Sequence, residues 1–284
     1  MKRSISPLRY PGGKASIFNM TNDVIESHGY IGSQYIEPYA GGCGLALTLF
    51  FKGIVSELHL NDIDRSIWAL WHSILNDTDR LVSRLTEIPI NMDEWYVQKE
   101  IQDNKEKSEI LDLAVSTLYL NRTNRSGIIK AGVIGGKKQD GNYKMDCRFN
   151  RERLADQIIH ISKSSDKISF HNMDAVAFIN YIEGLNLSNP ILMVDPPYYN
   201  KGQSLYTNFY KHDDHANIAD KLKETSLPWL LTYDNTPEIS DLYSEFSQYN
   251  FSINYSAARK RIGTELFITS RDFSAIKHEL LNIA

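Results

Sequence analysis

The sequence PILMVDPPY, residues 190–198, joins a short apolar run to an acidic, proline-rich and aromatic turn. The run Pro190–Val194 is typical of a strand buried on both faces of a parallel sheet. Asp195-Pro196-Pro197-Tyr198 would then lie at the carboxyl edge of that sheet, which is where open α/β sheets bind ligands. The stretch therefore predicts an α/β fold with a binding site directly after this strand.

The turn suits the task of holding a planar amine. Its two prolines fix φ at about −65° and remove two backbone donors, so the turn is stiff and cannot pair with a neighbouring strand. Asp195 and the carbonyl of Pro196 can accept from an exocyclic amine while Tyr198 stacks on the ring. This is the chemistry of an amino-methyltransferase acting on a nucleobase. These four residues alone leave open an ordinary surface turn after a core strand.

A second stretch predicts a strand, a glycine turn and a helix. Gln34–Glu37 is the strand, Pro38–Gly44 the turn and Leu45–Phe51 the apolar start of the helix. Glycines allow backbone to approach a cofactor closely and to adopt positive φ. The spacing matches neither GxGxxG nor GxxxxGK[ST], so phosphate binding is not indicated and a plain turn is the alternative.

The next strand, Glu57–Leu60, ends at Asn61-Asp62-Ile63-Asp64. An acidic residue at the end of the second strand commonly accepts from ribose hydroxyls, which makes Asp62 a candidate, and Ile63 could pack on an adenine ring. Alternatively, Asp62 caps the helix that begins at Arg65, although Asp64 is better placed to be that cap.

Positive charge is concentrated in one segment of an acidic chain. The net charge of the chain is −4, yet residues 121–153 hold nine basic and three acidic residues among five glycines. Such a segment predicts loops, with a hairpin as one form, that contact phosphates; a solvated linker is the alternative. The basic residues are Arg122, Arg125, Lys130, Lys137, Lys138, Lys144, Arg148, Arg151 and Arg153.

The fold expected is a doubly wound, Rossmann-like α/β sheet with a mostly helical insertion. Residues 1–62 and 166–284 alternate strands with helices. Residues 63–165 are mostly helical before their basic loop, and Ile110–Leu120 predicts a buried helix. Further strands are predicted at Lys167–His171, Trp229–Tyr233 and Glu265–Thr269.

Four blocks, in this order, make the chain resemble the Dam-like, alpha-group family of adenine-specific DNA methyltransferases. The resemblance spans about residue 5 to 270 and makes residues 63–165 a DNA target-recognition domain. The blocks are Leu8–Lys14, Glu37–Gly44, Leu118–Arg122 with Gly127, and Asp195–Tyr198.

The resemblance implies a reaction and a set of residue roles. S-adenosylmethionine would methylate the N6 amine of an adenine flipped out of duplex DNA, with Asp195, Pro196, Pro197 and Tyr198 as the catalytic residues. Asp174, which would accept from the cofactor's adenine amine, is as readily a helix N-cap. The cofactor-binding candidates are Tyr10, Lys14, Glu37, Pro38, Tyr39, Gly42, Gly44, Asp62, Ile63, Asp174 and Asp195. The DNA-binding candidates are Arg9, Asn121, Arg122, Arg125, Ser126, Lys130, Arg259 and Arg261.

Sequence readout is expected to differ from that of the GATC-methylating members. Those members place an aromatic-Asn pair where this chain has Arg125-Ser126, and an arginine where it has Lys130. A guanidinium can stack or donate two bonds to a guanine edge, whereas lysine cannot make that bidentate contact. A different or relaxed adenine-containing site is therefore predicted.

Two other functions stay open at this point. The same tetrapeptide serves RNA adenine and DNA cytosine amino-methyltransferases, and a catalytically silent DNA-binding relative would keep the fold. A restriction endonuclease could act from a separate chain, and the protein is expected to be a monomer.

The composition argues against several other classes of protein. No run of 18 apolar residues occurs, so no membrane span is expected. No apolar region follows Met1, so no signal peptide is expected. A cytoplasmic location is therefore expected. Cys43 and Cys147 indicate neither a disulfide framework nor a zinc site. No metal is expected at His212 and His215, since their spacing fits no zinc pattern. The stretch 201–215 is expected to form a mobile loop beside the catalytic turn.

Overall fold

A computed structural model describes residues 5–9, 17–199, 210–255, 261–273, 276 and 282–283 of the chain. Tyr10, Lys14, Arg259 and residues 201–209 of the loop expected at 201–215 lie outside the described residues. The expectation of a loop up to His215 is wrong, because a helix begins at His212. None of the helices within these ranges combines the length and the apolar character that crossing a bilayer requires.

The described part of the chain holds eight strands and ten α-helices. The strands are β1 (Ser33–Glu37), β2 (Val55–Asn61), β3 (Ile168–His171), β4 (Pro190–Val194), β5 (Trp229–Asp234), β6 (Ser247–Tyr255), β7 (Arg261–Thr269) and β8 (Asn282–Ile283). The helices are α1 (Phe18–Ser27), α2 (Gly44–Phe51), α3 (Arg65–Asn76), α4 (Thr78–Glu87), α5 (Met92–Asp103), α6 (Ile110–Thr123), α7 (Arg151–Ser162), α8 (Ala175–Gly184), α9 (His212–Glu224) and α10 (Pro237–Leu242).

All eight strands form one sheet, in the order β3-β2-β1-β4-β5-β7-β6-β8. Strands β1 to β5 pair in parallel, while β7, β6 and β8 add antiparallel pairs at one side. The order of the parallel strands reverses between β1 and β4, and a crevice opens outside their carboxyl ends at such a point. The expected Rossmann-like α/β fold is confirmed.

The sheet is covered on both faces, which explains the near-continuous apolar runs of its central strands. Successive side chains point to opposite faces, so Tyr35 and Met193 enter one core while Ile36, Leu192 and Val194 enter the other. The first core is shared with α1 to α7 and the second with α8, α9 and α10. Each face of β1 and β4 is therefore fixed by burial.

The predicted strands are all present, but β6 and β8 were not predicted, and β7 begins four residues earlier than expected. β6 pairs along its whole length with β7, Ser247 opposite Thr269 and Tyr255 opposite Arg261. Its sequence SQYNFSINY alternates polar with apolar residues and contains no continuous apolar run. A pattern search based on apolar runs therefore passes over it.

The block 63–165 contributes α3 to α7 and packs directly on the sheet. Trp71 of α3 and Leu118 of α6 belong to the same core as Leu58 and Leu60 of β2. The indole Nε1 of Trp71 donates to the carbonyl of Gly41, 2.9 Å away. The helical character predicted for this block is thus confirmed, with a core that is continuous with that of the sheet.

The segment 5–9 is bound in place by the helices of that block. The amide of Asn121 accepts from the Arg9 N–H and donates to the Arg9 carbonyl, each at 2.8 Å. The Gln157 amide donates to the carbonyls of residues 5 and 6, each at 3.1 Å. Gly127 has a φ of +78°, and a Cβ there would clash with the Arg9 carbonyl oxygen.

We predict that Gly127→Ala lowers the free energy of unfolding by about 2 kcal/mol or more, because a left-handed backbone and a steric clash act together. Gly132→Ala, in the same loop, is the matched control. A Cβ at Gly132 meets nothing within 4 Å. The control should be neutral or up to about 1 kcal/mol more stable, since alanine reduces unfolded-state entropy. Urea denaturation measures both; equal stabilities for the two variants would contradict the close approach of residues 9 and 127.

Candidate active site

The candidate active site lies where β1 and β4 end side by side. Strand β1 pairs in parallel with β4 from Gln34 to Ile36, so the turn after Glu37 lies beside Asp195. Burial raises the pKa of Tyr35 well above its usual value, and the neighbouring carboxylates of Glu37 and Asp195 raise it further. Two acidic residues from different motifs thus share one environment at the switch point of the sheet.

Asp195 is held by the neighbouring strand. The hydroxyl of Thr232 on β5 donates to Asp195 Oδ1 over 2.6 Å. Thr232 is buried, while Asp195 itself is half-buried. A hydrogen bond of this kind fixes the rotamer of the carboxylate and leaves it accessible from the crevice side.

The rest of the turn is anchored to the antiparallel side of the sheet. The hydroxyl of Tyr198 donates to Glu265 Oε1 on β7 at 2.5 Å, and the Tyr199 N–H donates to Asp234 Oδ1 on β5 at 2.8 Å. Asp234 and Glu265 are themselves opposite each other in the β5–β7 pair. The Tyr198 ring is buried in this arrangement, and its stacking on a base stays a prediction.

The glycine turn after β1 is shaped by its neighbours in the sheet. Gly41 and Cys43 both have positive φ, 47° and 51°, and Gly44 begins α2. A Cβ at Gly44 would meet nothing within 4 Å. The Asp62 carboxylate accepts from the Gly41 N–H at 3.0 Å and from the Asp64 N–H at 2.8 Å.

Asn61, the last residue of β2, ties three turns together. Its buried amide donates to the carbonyls of Pro38 and Met173, each at 3.0 Å, and accepts from the Met173 N–H at 2.9 Å. The turns after β1, β2 and β3 are therefore fixed relative to one another. The sequence indicated Asn61 only as the end of a strand. Its role as a link between turns was missed, because no local pattern signals contacts with residues 23 and 112 positions away.

Two aspartates at this edge of the sheet cap the helices that follow them. Asp64 accepts from the Ser66 N–H at 3.0 Å, which confirms it as the cap of α3. Asp174 accepts from the N–H groups of Val176 and Ala177 at 2.9 and 3.2 Å, so it caps α8. Both of these bonds use Oδ1, and the Asp174 side chain is exposed. Its contact with a cofactor stays a prediction.

The remaining cofactor candidates lie around the same crevice. Pro38 and Gly42 are buried in the turn, and 47% of the Ile63 side chain is exposed beside Asp62. The Tyr39 hydroxyl lies 2.9 Å from that of Tyr210, and burial raises the Tyr39 pKa well above its usual value. The exposed Ile63 thus follows directly after the carboxylate of Asp62, which contacts the glycine turn through the Gly41 N–H.

The DNA-binding candidates differ in exposure. Asn121 is buried, and its amide also donates to the Gly127 carbonyl at 2.7 Å. Arg122 is half-buried, and its guanidinium donates to the Pro7 carbonyl. Arg125, Ser126 and Lys130 are exposed. Asn121 and Arg122 therefore support the segment 5–9, and Asn121 also supports the loop that follows α6.

Four arginines gather around the segment 5–9. Burial, together with the positive charges of Arg9 and Arg153, lowers the pKa of Arg122 to about 10. Burial and the charge of Arg148 lower the pKa of Arg9. Within the described ranges, no carboxylate forms an ion pair with any of the four. The cluster is thus a concentration of positive charge that the described residues do not neutralise.

The exposed candidates occupy the tip of a loop with a rigid base. Asn124 accepts from the Trp95 indole at 2.7 Å and donates to the carbonyl of Ile129 at 2.8 Å. Asn124 also forms an isolated antiparallel β-bridge with Val133, in the segment where a hairpin was one of the expected forms. Arg125 and Ser126 follow directly, with Ser126 at a φ of +56°. Arg261 is the first residue of β7.

The acidic and histidine residues of the site show no metal-binding geometry. In the part of the chain that the structure describes, no three His, Cys, Asp or Glu side chains converge as a metal ion would need. His212 and His215 contact tyrosines instead, with Nδ1 atoms 3.1 Å from the Tyr199 hydroxyl and 2.5 Å from the Tyr233 hydroxyl. Both cysteines are free, Cys43 buried and Cys147 exposed.

Comparison with known proteins yields one family and one relative. A model of the D12 class N6 adenine-specific DNA methyltransferase family matches residues 10–259. The chain is also similar to the Type II methyltransferase M.MjaIII of Methanocaldococcus jannaschii, with 23% identity over 221 residues. That alignment covers 72% of this chain and 73% of the relative.

Proposed function

We propose a methyl donor and specific residue roles for this chain, which belongs to the D12 class N6 adenine-specific DNA methyltransferase family. The chain is an enzyme that methylates the N6 amine of adenine in DNA. The proposal rests on one observation above all: the Asp195–Tyr198 turn lies beside the glycine turn at the reversal of strand order. Substrate amine and methyl donor can therefore meet at one edge of the sheet.

The donor proposed is S-adenosylmethionine, whose sulfonium supplies an electrophilic methyl group. The residues around the crevice fit such a molecule. The exposed Ile63 offers an apolar surface for an adenine ring, the Asp62 carboxylate lies at the end of β2 for ribose hydroxyls, and Gly44 leaves open space at the start of α2. Glu37, Pro38, Tyr39 and Gly42 belong to the strand end and the turn that precede Gly44, and they are proposed to complete the same site.

Catalysis is proposed to consist of positioning and electrostatics. The adenine amine is a poor nucleophile because its lone pair is delocalised into the ring. Hydrogen bonds from the amine to Asp195 and to the Pro196 carbonyl favour pyramidalisation and direct the lone pair toward the methyl group. Thr232 keeps the Asp195 carboxylate in place, and the stiff Pro196-Pro197 turn keeps the carbonyl in place.

The target adenine is proposed to leave the DNA stack before it reacts. Extrusion of a base from duplex DNA costs a few kcal/mol, which aromatic stacking in the enzyme partly offsets. Tyr198 is the ring assigned to this stacking, and its bond to Glu265 defines the position from which it must act. Duplex DNA is the substrate form proposed, and the protein is proposed to act as a monomer.

The block 63–165 is proposed as the target-recognition domain. Its exposed loop presents Arg125, Ser126 and Lys130 on a base fixed by Asn124. Arg148 and Arg153 join Arg9 and Arg122 in a cluster that phosphates would neutralise. Asn121 is proposed to position the Arg9 segment through its backbone bonds rather than to contact DNA itself.

A link to restriction is also proposed. The similar protein of M. jannaschii is named a Type II methyltransferase. On that similarity we infer that this chain protects a site that a restriction endonuclease on a separate chain cleaves. Methylation that protects the host DNA from a nuclease encoded nearby would support the link.

The test of the proposed function is methyl transfer from labelled S-adenosylmethionine to duplex DNA. We predict that Asp195→Ala lowers the rate at least about 10²-fold, because one acceptor of the target amine is removed. Far-ultraviolet circular dichroism should show that the variant stays folded. Near-normal methylation by the folded variant would remove Asp195 from the mechanism.

We predict that Thr232→Val lowers the single-turnover rate about tenfold, since a hydrogen bond to a charged group contributes roughly 1.5–3 kcal/mol. Thr269→Val is the matched control in the same sheet. The Thr269 hydroxyl is buried and has no hydrogen-bond partner among the described residues. The control should keep the wild-type rate; equal losses in both variants would indicate a general packing effect instead.

We predict that the triple variant Arg125→Ala, Lys130→Ala, Arg148→Ala binds DNA more weakly and with a shallower salt dependence. Removal of each phosphate-binding side chain should reduce the slope of log K against log salt by roughly one. All three side chains are exposed, so the fold should be unaffected. The control removes charges from exposed positions outside the cluster, Arg80 and Lys163. An unchanged slope in the triple variant would show that the basic segment is a linker.

A further inference from the structure

A cluster of aromatic side chains packs against Tyr199, the residue that follows the Asp195–Tyr198 turn. Its centre is His215 of α9, whose side chain is buried. The His215 ring centroid lies 5.0 Å from that of Tyr199, 5.4 Å from that of Tyr210 and 5.6 Å from that of Tyr233. Its Nδ1 is 2.5 Å from the Tyr233 hydroxyl. One imidazole therefore contacts three tyrosines.

These tyrosines belong to three segments of the proposed active site. Tyr199 immediately follows the catalytic tetrapeptide, and its N–H donates to Asp234. Tyr210 bonds to Tyr39 of the glycine turn, hydroxyl to hydroxyl, at 2.9 Å. Tyr233 lies next in sequence to Thr232, which holds Asp195. His215 thus contacts Tyr199 and β5 directly and connects to the glycine turn through Tyr210.

We propose that His215 is a positioning residue for methyl transfer, which keeps the catalytic turn and the glycine turn in register through Tyr199, Tyr210 and Tyr233. The inference rests on the proposed function and adds a residue that does not itself touch substrate or donor. Positioning errors of about 1 Å can cost 10²-fold in rate, so a contact at this distance from the chemistry matters.

In the arrangement proposed, the Tyr233 hydroxyl donates to Nδ1 of a neutral imidazole. Burial raises the pKa of Tyr233 well above its usual value, so its hydroxyl keeps its proton and can donate to Nδ1. Burial lowers the His215 pKa below its ordinary value; Asp234 and Asp214 act to raise it, and His212 acts to lower it. Nε2 is buried without a hydrogen-bond partner among the described residues, and it would carry the single ring proton.

The pH dependence follows from that protonation state. The groups that face His215 are Asp214 and His212 on its own helix, Tyr233 and Asp234 on β5, and Tyr199 and Tyr210 from the loops. A folded-state pKa below the unfolded value keeps the neutral form, and hence the bond to Tyr233, fully present above about pH 6.5. As the pH falls through the lowered value, Nδ1 becomes protonated and can no longer accept from the Tyr233 hydroxyl.

Three variants separate positioning from simple packing. His215→Phe keeps a ring of similar size and removes Nδ1, while Tyr233→Phe removes only the hydroxyl. His215→Asn places an amide oxygen near the position of Nδ1 and can accept from Tyr233. His59→Phe is the matched control, because His59 is also buried with its Nδ1 3.1 Å from a hydroxyl, that of Ser169, at the β2–β3 side of the sheet.

The assay is steady-state methylation of duplex DNA by the full chain with S-adenosylmethionine. His215→Phe and Tyr233→Phe should each lower kcat about tenfold with little change in KM for DNA. The double variant should be no slower than the slower single variant, since both remove one bond. His215→Asn should regain most of the rate, His59→Phe should lose little, and the wild-type decline below pH 6.5 should be weaker in His215→Phe.

Several results would overturn the inference. Wild-type kcat in both phenylalanine variants would do so, as would a double variant whose loss equals the product of the two single losses. An equal loss in His59→Phe would reduce His215 to ordinary packing. In the same assay, a wild-type protein that transfers no methyl group from S-adenosylmethionine would overturn the proposed function and this inference together, whereas an active wild type with insensitive variants would overturn this inference alone.

Discussion

The parallel pairing of β1 with β4 is the constraint on which the rest of the site depends. It brings the turn that follows Glu37 close to the Asp195–Tyr198 turn, which is proposed to be catalytic. The strand order reverses here, and at such a point a crevice opens outside the carboxyl ends of the strands. The burial of Ile36 in one core and Tyr35 in the other fixes the register. A slip of one residue would reverse both side chains and separate the two turns.

Buried amides hold the irregular segments around that pairing. Asn61, Asn121 and Asn124 each use both the donor and the acceptor of the side chain on another segment. An amide left unpaired in the interior costs about 1–3 kcal/mol, so each such residue favours one arrangement of its partners over displaced ones. The turns of the candidate active site and the loop after α6 are therefore positioned by polar contacts, whereas the sheet is positioned by apolar burial.

The sequence predicted the features that local patterns encode. Apolar runs located β1 to β5, and the position of Asp64 before Arg65 located the cap of α3. It did not predict Asp234 or Glu265, because their roles depend on pairing between β5 and β7 that no local pattern specifies. Nor could a count of charges distinguish the half-buried Arg122, bonded to a backbone carbonyl, from the exposed Arg125. Short sequence motifs indicated the candidate catalytic and cofactor-binding residues, whereas the residues that hold them in place come from distant parts of the chain.

The distribution of charge explains how an acidic chain can bind DNA. Arg9, Arg122, Arg148 and Arg153 repel one another, and burial already lowers the pKa of two of them. A value of about 10 for Arg122 still leaves it protonated at neutral pH, so the repulsion persists in the DNA-free protein. A phosphate placed among them would relieve that repulsion, and the gain adds to the attraction of each ion pair. The same repulsion makes the cluster a poor site for any cation, so the DNA affinity proposed for it would come with selectivity by charge.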